Sequence, residues 1–154
     1  MNLNNHYDLA VIGAGPAGMA AAIEASRNNM KVLVLDDQPA AGGQVYRQID
    51  RNYQKNEELF FLGGDYWLGK KLVDDFKHSS AEFFPESRVW QITLDKHVFF
   101  SRKGRAYQVQ ANFILISTGA TERPMPILGW TLPGVMSVGL SLIHISEPTR
   151  PRLI

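Results

Sequence analysis

The stretch from Tyr7 to Asp36 constrains this chain most. Tyr7-Asp8-Leu9-Ala10-Val11-Ile12 is a short apolar run with enough Val and Ile for a buried strand. It passes directly into Gly13-Ala14-Gly15-Pro16-Ala17-Gly18, a G-x-G-x-x-G pattern. Met19 to Asn28 reads as a helix with Ala20, Ala21, Ala22, Ile23 and Ala25 on or near one face. Lys31–Leu35 is a second buried strand, and Asp36 stands at its tip. The glycine pattern alone is weak. With a strand before it, a helix after it and an acid at the end of the next strand, it predicts a dinucleotide-binding βαβ unit.

Each residue type has a physical task in such a unit. Gly13 permits the tight strand-to-helix turn, Gly15 lets the backbone approach a pyrophosphate, and Gly18 lets the helix lie close on the sheet. The helix start offers unpaired N–H groups and a partial positive charge to the anion. Pro16 suits the first helical turn, where its missing N–H costs nothing. The Asp36 carboxylate can accept from both ribose hydroxyls, and its charge disfavours a 2′-phosphate. The competing reading, a purely structural glycine turn with Asp36 as a cap, does not account for the whole constellation.

Beyond Asp36 the pattern departs from a prompt second βαβ unit. Ala40-Ala41-Gly42-Gly43-Gln44 reads as a loop. Trp67, Leu68, Lys71, Leu72, Val73 and Phe76 keep a 3.6-residue rhythm, which predicts a helix over Tyr66–His78. Glu82-Phe83-Phe84 reads as a short strand. Val89–Leu94, His97–Ser101 and Tyr107–Gln110 read as an antiparallel meander, with turns at Asp95-Lys96 and Lys103-Gly104-Arg105. Phe113–Ser117 returns as a buried strand ending in Thr118-Gly119-Ala120.

Composition narrows the chemistry. Apolar residues make up 45% of the 154, enough for a packed core in one domain. Sixteen basic against fifteen acidic residues leave +1 with no basic block, which speaks against nucleic-acid binding. With no cysteine there is no disulfide framework, thiolate metal site or redox-active dithiol in these residues. His6, His78, His97 and His144 lack ligand spacing, so no metal site is expected. Asp74-Asp75 reads as the solvated face of a helix, and Trp67, Trp90 and Trp130 as packing residues. Leu9–Ile12 is far too short to span a bilayer and no charged n-region precedes it; a cytoplasmic protein is expected.

The order of nucleotide motif, Gly-Gly loop, meander and strand ending Thr-Gly-Ala resembles the FAD domain of glutathione-reductase-type flavoproteins with two dinucleotide-binding domains. More narrowly, GGQVYR (Gly42–Arg47), DYWLG (Asp65–Gly69), the Val89–Ile92 segment and TGATERPMPILGWTLPGVM (Thr118–Met136) are similar to the FAD-containing subunits of opine oxidase and hydrogen cyanide synthase and related heteromeric amino-acid dehydrogenases. Leu128 stands where that group more often has Pro. The resemblance implies an α/β, Rossmann-like FAD-binding domain with a parallel sheet and an antiparallel β-meander crossover. It implies FAD as cofactor, with Gly13, Gly15, Pro16, Ala17 and Gly18 at the pyrophosphate and Asp36, with Asp37 beside it, at the adenosine ribose. Gly42, Gly43 and Gln44 would line the cofactor, and Thr118, Gly119 and Ala120 would pack a second backbone segment against it. Arg47 and Arg123 would offset phosphate or flavin charge, a solvated or structural role for either being equally open.

The implied reaction is oxidation of a C–N bond in an amino acid or opine-like amine by hydride transfer to FAD, with sister subunits carrying electrons away. No catalytic base is assigned. A non-catalytic FAD- or NAD-binding module stays open. An NAD-dependent dehydrogenase domain is disfavoured by the meander and the Thr-Gly-Ala strand. Leu140–Arg150, LSLIHISEPTR, resembles the translated read-through of a sequencing-library adapter. The expected organisation is therefore an FAD-binding domain over 1–139, lacking the second dinucleotide domain, and a non-native tail over 140–154.

Overall fold

A computed structural model describes residues 4–47, 49, 64–120, 123 and 125–137. Two compact units divide the chain, Met1–Gly119 and Ala120–Ile154. The 140–154 tail expectation lies outside the described residues.

The first unit is built on one six-stranded sheet. Its strands are β1 (His6–Ile12), β2 (Val32–Leu35), β3 (Glu82–Phe84), β4 (Ser87–Ile92), β5 (His97–Arg102) and β6 (Arg105–Ile116). Helix α1 (Pro16–Arg27) joins β1 to β2, and α2 (Gly64–His78) precedes β3. The spatial order is β3-β2-β1-β6-β5-β4. β3, β2, β1 and β6 run parallel, while β6, β5 and β4 pair antiparallel. The expected α/β class with a meander is what forms, but the meander is hydrogen-bonded to the parallel strands as one mixed sheet.

Two apolar clusters hold this sheet from either side. One gathers Val11, Val32 and Val34 under Met19, Ala22 and Ile23 of α1 and Val73 and Phe76 of α2. The other gathers Tyr7, Ala10, Ile12, Leu33, Leu35 and Phe84 with Val98, Phe100, Val109 and Ala111 of the meander. All four β2 residues are buried, as a strand covered on both faces requires. On α1 the buried stripe is Gly18, Met19, Ala22 and Ile23, whereas Ala20 faces outward; the helical period selects Met19 over Ala20. On α2, Gly69, Val73 and Phe76 turn inward and Leu68 is exposed.

The reading of two separate segments, Tyr107–Gln110 and Phe113–Ser117, is corrected to one twelve-residue strand. The cause is a change of phase. The Asp8 and Leu9 amides share the Lys31 carbonyl, at 2.9 and 3.3 Å, and the buried face of β1 changes there, from Tyr7 to Ala10, with its register to β6 unbroken. Across from it the inward residues of β6 shift from Val109 and Ala111 to Ile114, around Asn112, whose amide donates to Asp8 at 3.3 Å. In the sequence this broken alternation mimics a loop; in the sheet the ladder runs through it. The turn at Asp95-Lys96 forms as read, whereas the one read at Lys103-Gly104-Arg105 is shortened to Lys103-Gly104 because Arg105 already pairs with Arg102 as the first residue of β6; φ is positive at Lys96, Lys103 and Gly104.

The second unit is described over few residues. Its turns are closed by Trp130 N–H to the Ile127 carbonyl at 3.0 Å and by Val135 N–H to the Leu132 carbonyl at 3.1 Å. Ile127, Leu128, Trp130 and Leu132 are exposed. Among the described residues, no helix is long and apolar enough to cross a membrane.

Candidate dinucleotide site

The carboxyl ends of β1, β2 and β6 meet at one point, and the chain's first reversal lies there. The Gly13 amide donates to the Leu35 carbonyl and the Ser117 amide to the Ile12 carbonyl, both at 2.8 Å. In open α/β sheets, this edge, where neighbouring strands connect to opposite sides, is where ligands bind.

The three motif glycines are required for different reasons. Gly13 has φ +105, and a Cβ there would enter the Ser117 carbonyl. A Cβ on Gly18 would strike the Gly13 carbonyl and reach the Ser117 hydroxyl at 2.7 Å. These two glycines therefore serve the protein's own packing. Gly15 does not. Its φ of −73 suits any residue, and a Cβ there meets nothing nearer than the Gly43 Cα at 4.0 Å. Among the described residues, neither backbone conformation nor a close contact demands glycine at this position.

Gly15 is also the N-cap of α1, with no side-chain cap and no acidic residue in the first turn, while Pro16 opens the helix. Among the described residues no side chain caps this helix start, the condition under which first-turn amides can hold an anion. Asp36 turns into the same crevice. One carboxylate oxygen accepts the Ala14 N–H at 2.5 Å and the other the Gln38 N–H at 2.8 Å. Each oxygen keeps further acceptor capacity for sugar hydroxyls. The Gly42–Arg47 turn closes the other wall: the Gly42 amide donates to the Ala14 carbonyl at 2.9 Å. Gly43, at φ +61, stands so close that a Cβ would come within 2.9 Å of the Gly15 Cα.

Of the residues expected here, the structure brings together Gly13, Gly15, Pro16, Gly18, Asp36, Gly42 and Gly43, with the Thr118 backbone beside Gly13. Ala17, Gln44, Arg47 and Gly119 are exposed. Asp37 lies in an open polar dent with Glu86, Arg88, Ser101 and Lys103 and accepts from the Gln38 amide side chain at 2.9 Å. Ala120 and Arg123 belong to the second unit.

Two residues were not singled out from the sequence. The Ser117 hydroxyl lies 3.1 Å from the Ile12 carbonyl and 2.9 Å from that of Gly13, pinning the end of β6 to the turn. Ala14 is tied through its amide to Asp36 and through its carbonyl to Gly42. A serine at the last position of an apolar strand that feeds Thr-Gly-Ala is the available signal for the first. A backbone hub such as Ala14 leaves none.

The family described as pyridine nucleotide-disulphide oxidoreductase matches residues 7–147. The chain belongs to it. An opine oxidase subunit from Agrobacterium tumefaciens (strain Ach5) is 46% identical over 152 residues, taking in 94% of this chain and 30% of that protein. Hydrogen cyanide synthase subunit HcnB of Pseudomonas aeruginosa is 34% identical over 132 residues, 84% of this chain and 28% of that one. This family member thus spans about 30% of the length of the curated relatives it matches. L-proline dehydrogenase from P. horikoshii superposes with a TM-score of 0.60 over 78% of this chain and 24% of that one; at 20% identity it speaks for the fold alone.

Proposed function

We propose that this chain is the FAD-binding portion of a flavin-dependent oxidoreductase subunit that oxidises C–N bonds of amino acids or opine-like amines alongside sister subunits. The observation that carries the cofactor reading is Gly15, a glycine that neither backbone geometry nor packing among the described residues requires, at a helix start without a side-chain cap. Gly15 and Gly43 leave room for a diphosphate, the first-turn amides of α1 would hold it, and Asp36 would take the adjoining ribose. Glycine at Gly15 keeps the backbone within hydrogen-bond reach of the anion. FAD, when bound, supplies the hydride-accepting chemistry. The substrate class and the sister subunits rest on the likeness to the opine oxidase and hydrogen cyanide synthase proteins, both of which are named as subunits.

The test is direct. Purified protein is scanned for flavin absorbance and then titrated with FAD, following quenching of flavin fluorescence, with NADH as the competitor. Saturable FAD binding that NADH does not displace is expected. A colourless protein that binds NADH tightly and ignores FAD would overturn the cofactor assignment.

A further inference from the structure

Two motifs far apart in the sequence, GGQVYR and DYWLG, lock onto each other in the fold. Gly69, buried on α2, lies under the Tyr46 ring so closely that a Cβ on Gly69 would enter the ring at Cγ, Cδ1 and Cε1. One turn earlier on the same helix, the Tyr66 hydroxyl donates to the Arg47 carbonyl at 2.8 Å. Tyr46 and Tyr66 both pack against the cluster that contains Val73 and Phe76 of α2. The far end of the turn is bound to the glycine motif: Tyr46 N–H donates to the Gly42 carbonyl at 3.1 Å, and Gly42 N–H to the Ala14 carbonyl at 2.9 Å. Gly43, between these two ties, faces Gly15.

We propose that α2 acts as a latch for the Gly42–Arg47 turn, with Gly69 as the seat of the Tyr46 ring and Tyr66 as the clasp on Arg47. Gly69 and Tyr66 are positioning residues. They set how the Gly43 backbone seats against Gly15, and so the wall that the turn gives to the diphosphate site beside the glycine motif. The effect on cofactor affinity rests on the functional reading above; the mechanical coupling does not.

Two readouts on the full chain separate these. Amide hydrogen exchange at Gly42 and Tyr46 reports the latch without ligand, and FAD titration reports the cleft. Gly69→Ala should speed exchange at both amides and weaken FAD binding, each by about tenfold, while β1 and β2 amides stay protected. Tyr66→Phe, which removes one hydrogen bond and no packing, should give about a fivefold change in the same direction. In a Tyr46→Ala background, Gly69→Ala should add less than about twofold, because the ring it would displace is gone. The latch is overturned if folded Gly69→Ala keeps wild-type exchange at Gly42 and Tyr46, or if its effect is undiminished without the Tyr46 ring. Should Gly69→Ala fail to fold, wild-type exchange in Tyr66→Phe overturns it instead. A wild-type chain that binds no FAD would sink the functional reading and leave exchange to decide the latch.

Discussion

Gly15 and Gly18 show how neighbouring identical residues answer to different forces. Gly18 is fixed by the Gly13 carbonyl and the Ser117 hydroxyl, so Gly18→Ala should cost about 1–3 kcal/mol of folding stability by overpacking, read as a lower urea midpoint. Gly15→Ser should behave in the opposite way. Serine is a better N-cap than glycine by a few tenths of a kcal/mol, and the extended backbone at Gly15, with ψ of −178, accommodates it. Its hydroxyl would also take up first-turn amides and enter the diphosphate space. Stability should therefore hold or rise slightly while FAD affinity falls by at least about tenfold; unchanged affinity would show that the cleft beside Gly15 is not where the diphosphate sits. Gly13, Gly15, Gly18 and Asp36 could be singled out from the sequence because they fall at fixed spacings along one strand–turn–helix–strand unit, although the Ser117 contacts that hold Gly13 and Gly18 could not. Nor could the partnership of Tyr46, Tyr66 and Gly69, which exists only once α2 folds back over the turn.

At the scale of elements, the strands were legible wherever one phase of alternation persists, and illegible where it slips. β2 is four apolar residues buried on both faces and is unambiguous. β6 hides its continuity because the face it buries changes at Asn112. The same slip lets Tyr7 point toward the meander side, where its hydroxyl donates to Glu82 on β3 at 2.8 Å and ties the first strand to the sheet's edge. Burial, and then the Glu82 carboxylate beside it, push the Tyr7 phenol up from 10.0 to about 12. A phenol raised in the folded state is held neutral there, so its contribution is complete below pH 10. That contribution drains as pH climbs from about 10 toward 12, because the unfolded chain releases the proton first. Urea midpoints measured across pH 9–12 should fall more steeply for the wild type than for Tyr7→Phe, which should start lower near neutrality by about 0.5–1.5 kcal/mol for the lost hydrogen bond. Parallel curves would show that Tyr7 does not couple the strands in this way.

The molecule as a whole leaves apolar surface where the parallel and antiparallel halves of its sheet part. β5 pairs with Arg105–Gln110 of β6, and Lys96 reaches one residue further to accept from the Ala111 amide. From Asn112 to Ile116, the side of β6 turned away from β1 carries no strand among the described residues. That segment, NFILI, has neither charge nor proline, the usual protections of an open edge. Phe113 and Ile116 are 65% and 66% exposed. The cover is slight: the Lys96 ammonium donates to the Asn112 carbonyl at 2.8 Å and stands 5.7 Å above the Phe113 ring. Such an edge favours pairing with another extended chain, and apolar side chains beside it add to the attraction. The protein should therefore self-associate as its concentration rises, seen as growing light scattering at constant far-UV circular dichroism. Phe113→Lys with Ile116→Lys should suppress this without altering the spectrum, and Lys96→Ala should enhance it. If the wild type stayed monodisperse, or if the double substitution left the scattering unchanged, the β6 edge would not be the source, and the exposed Ile127–Leu132 stretch of the second unit would be the next to alter.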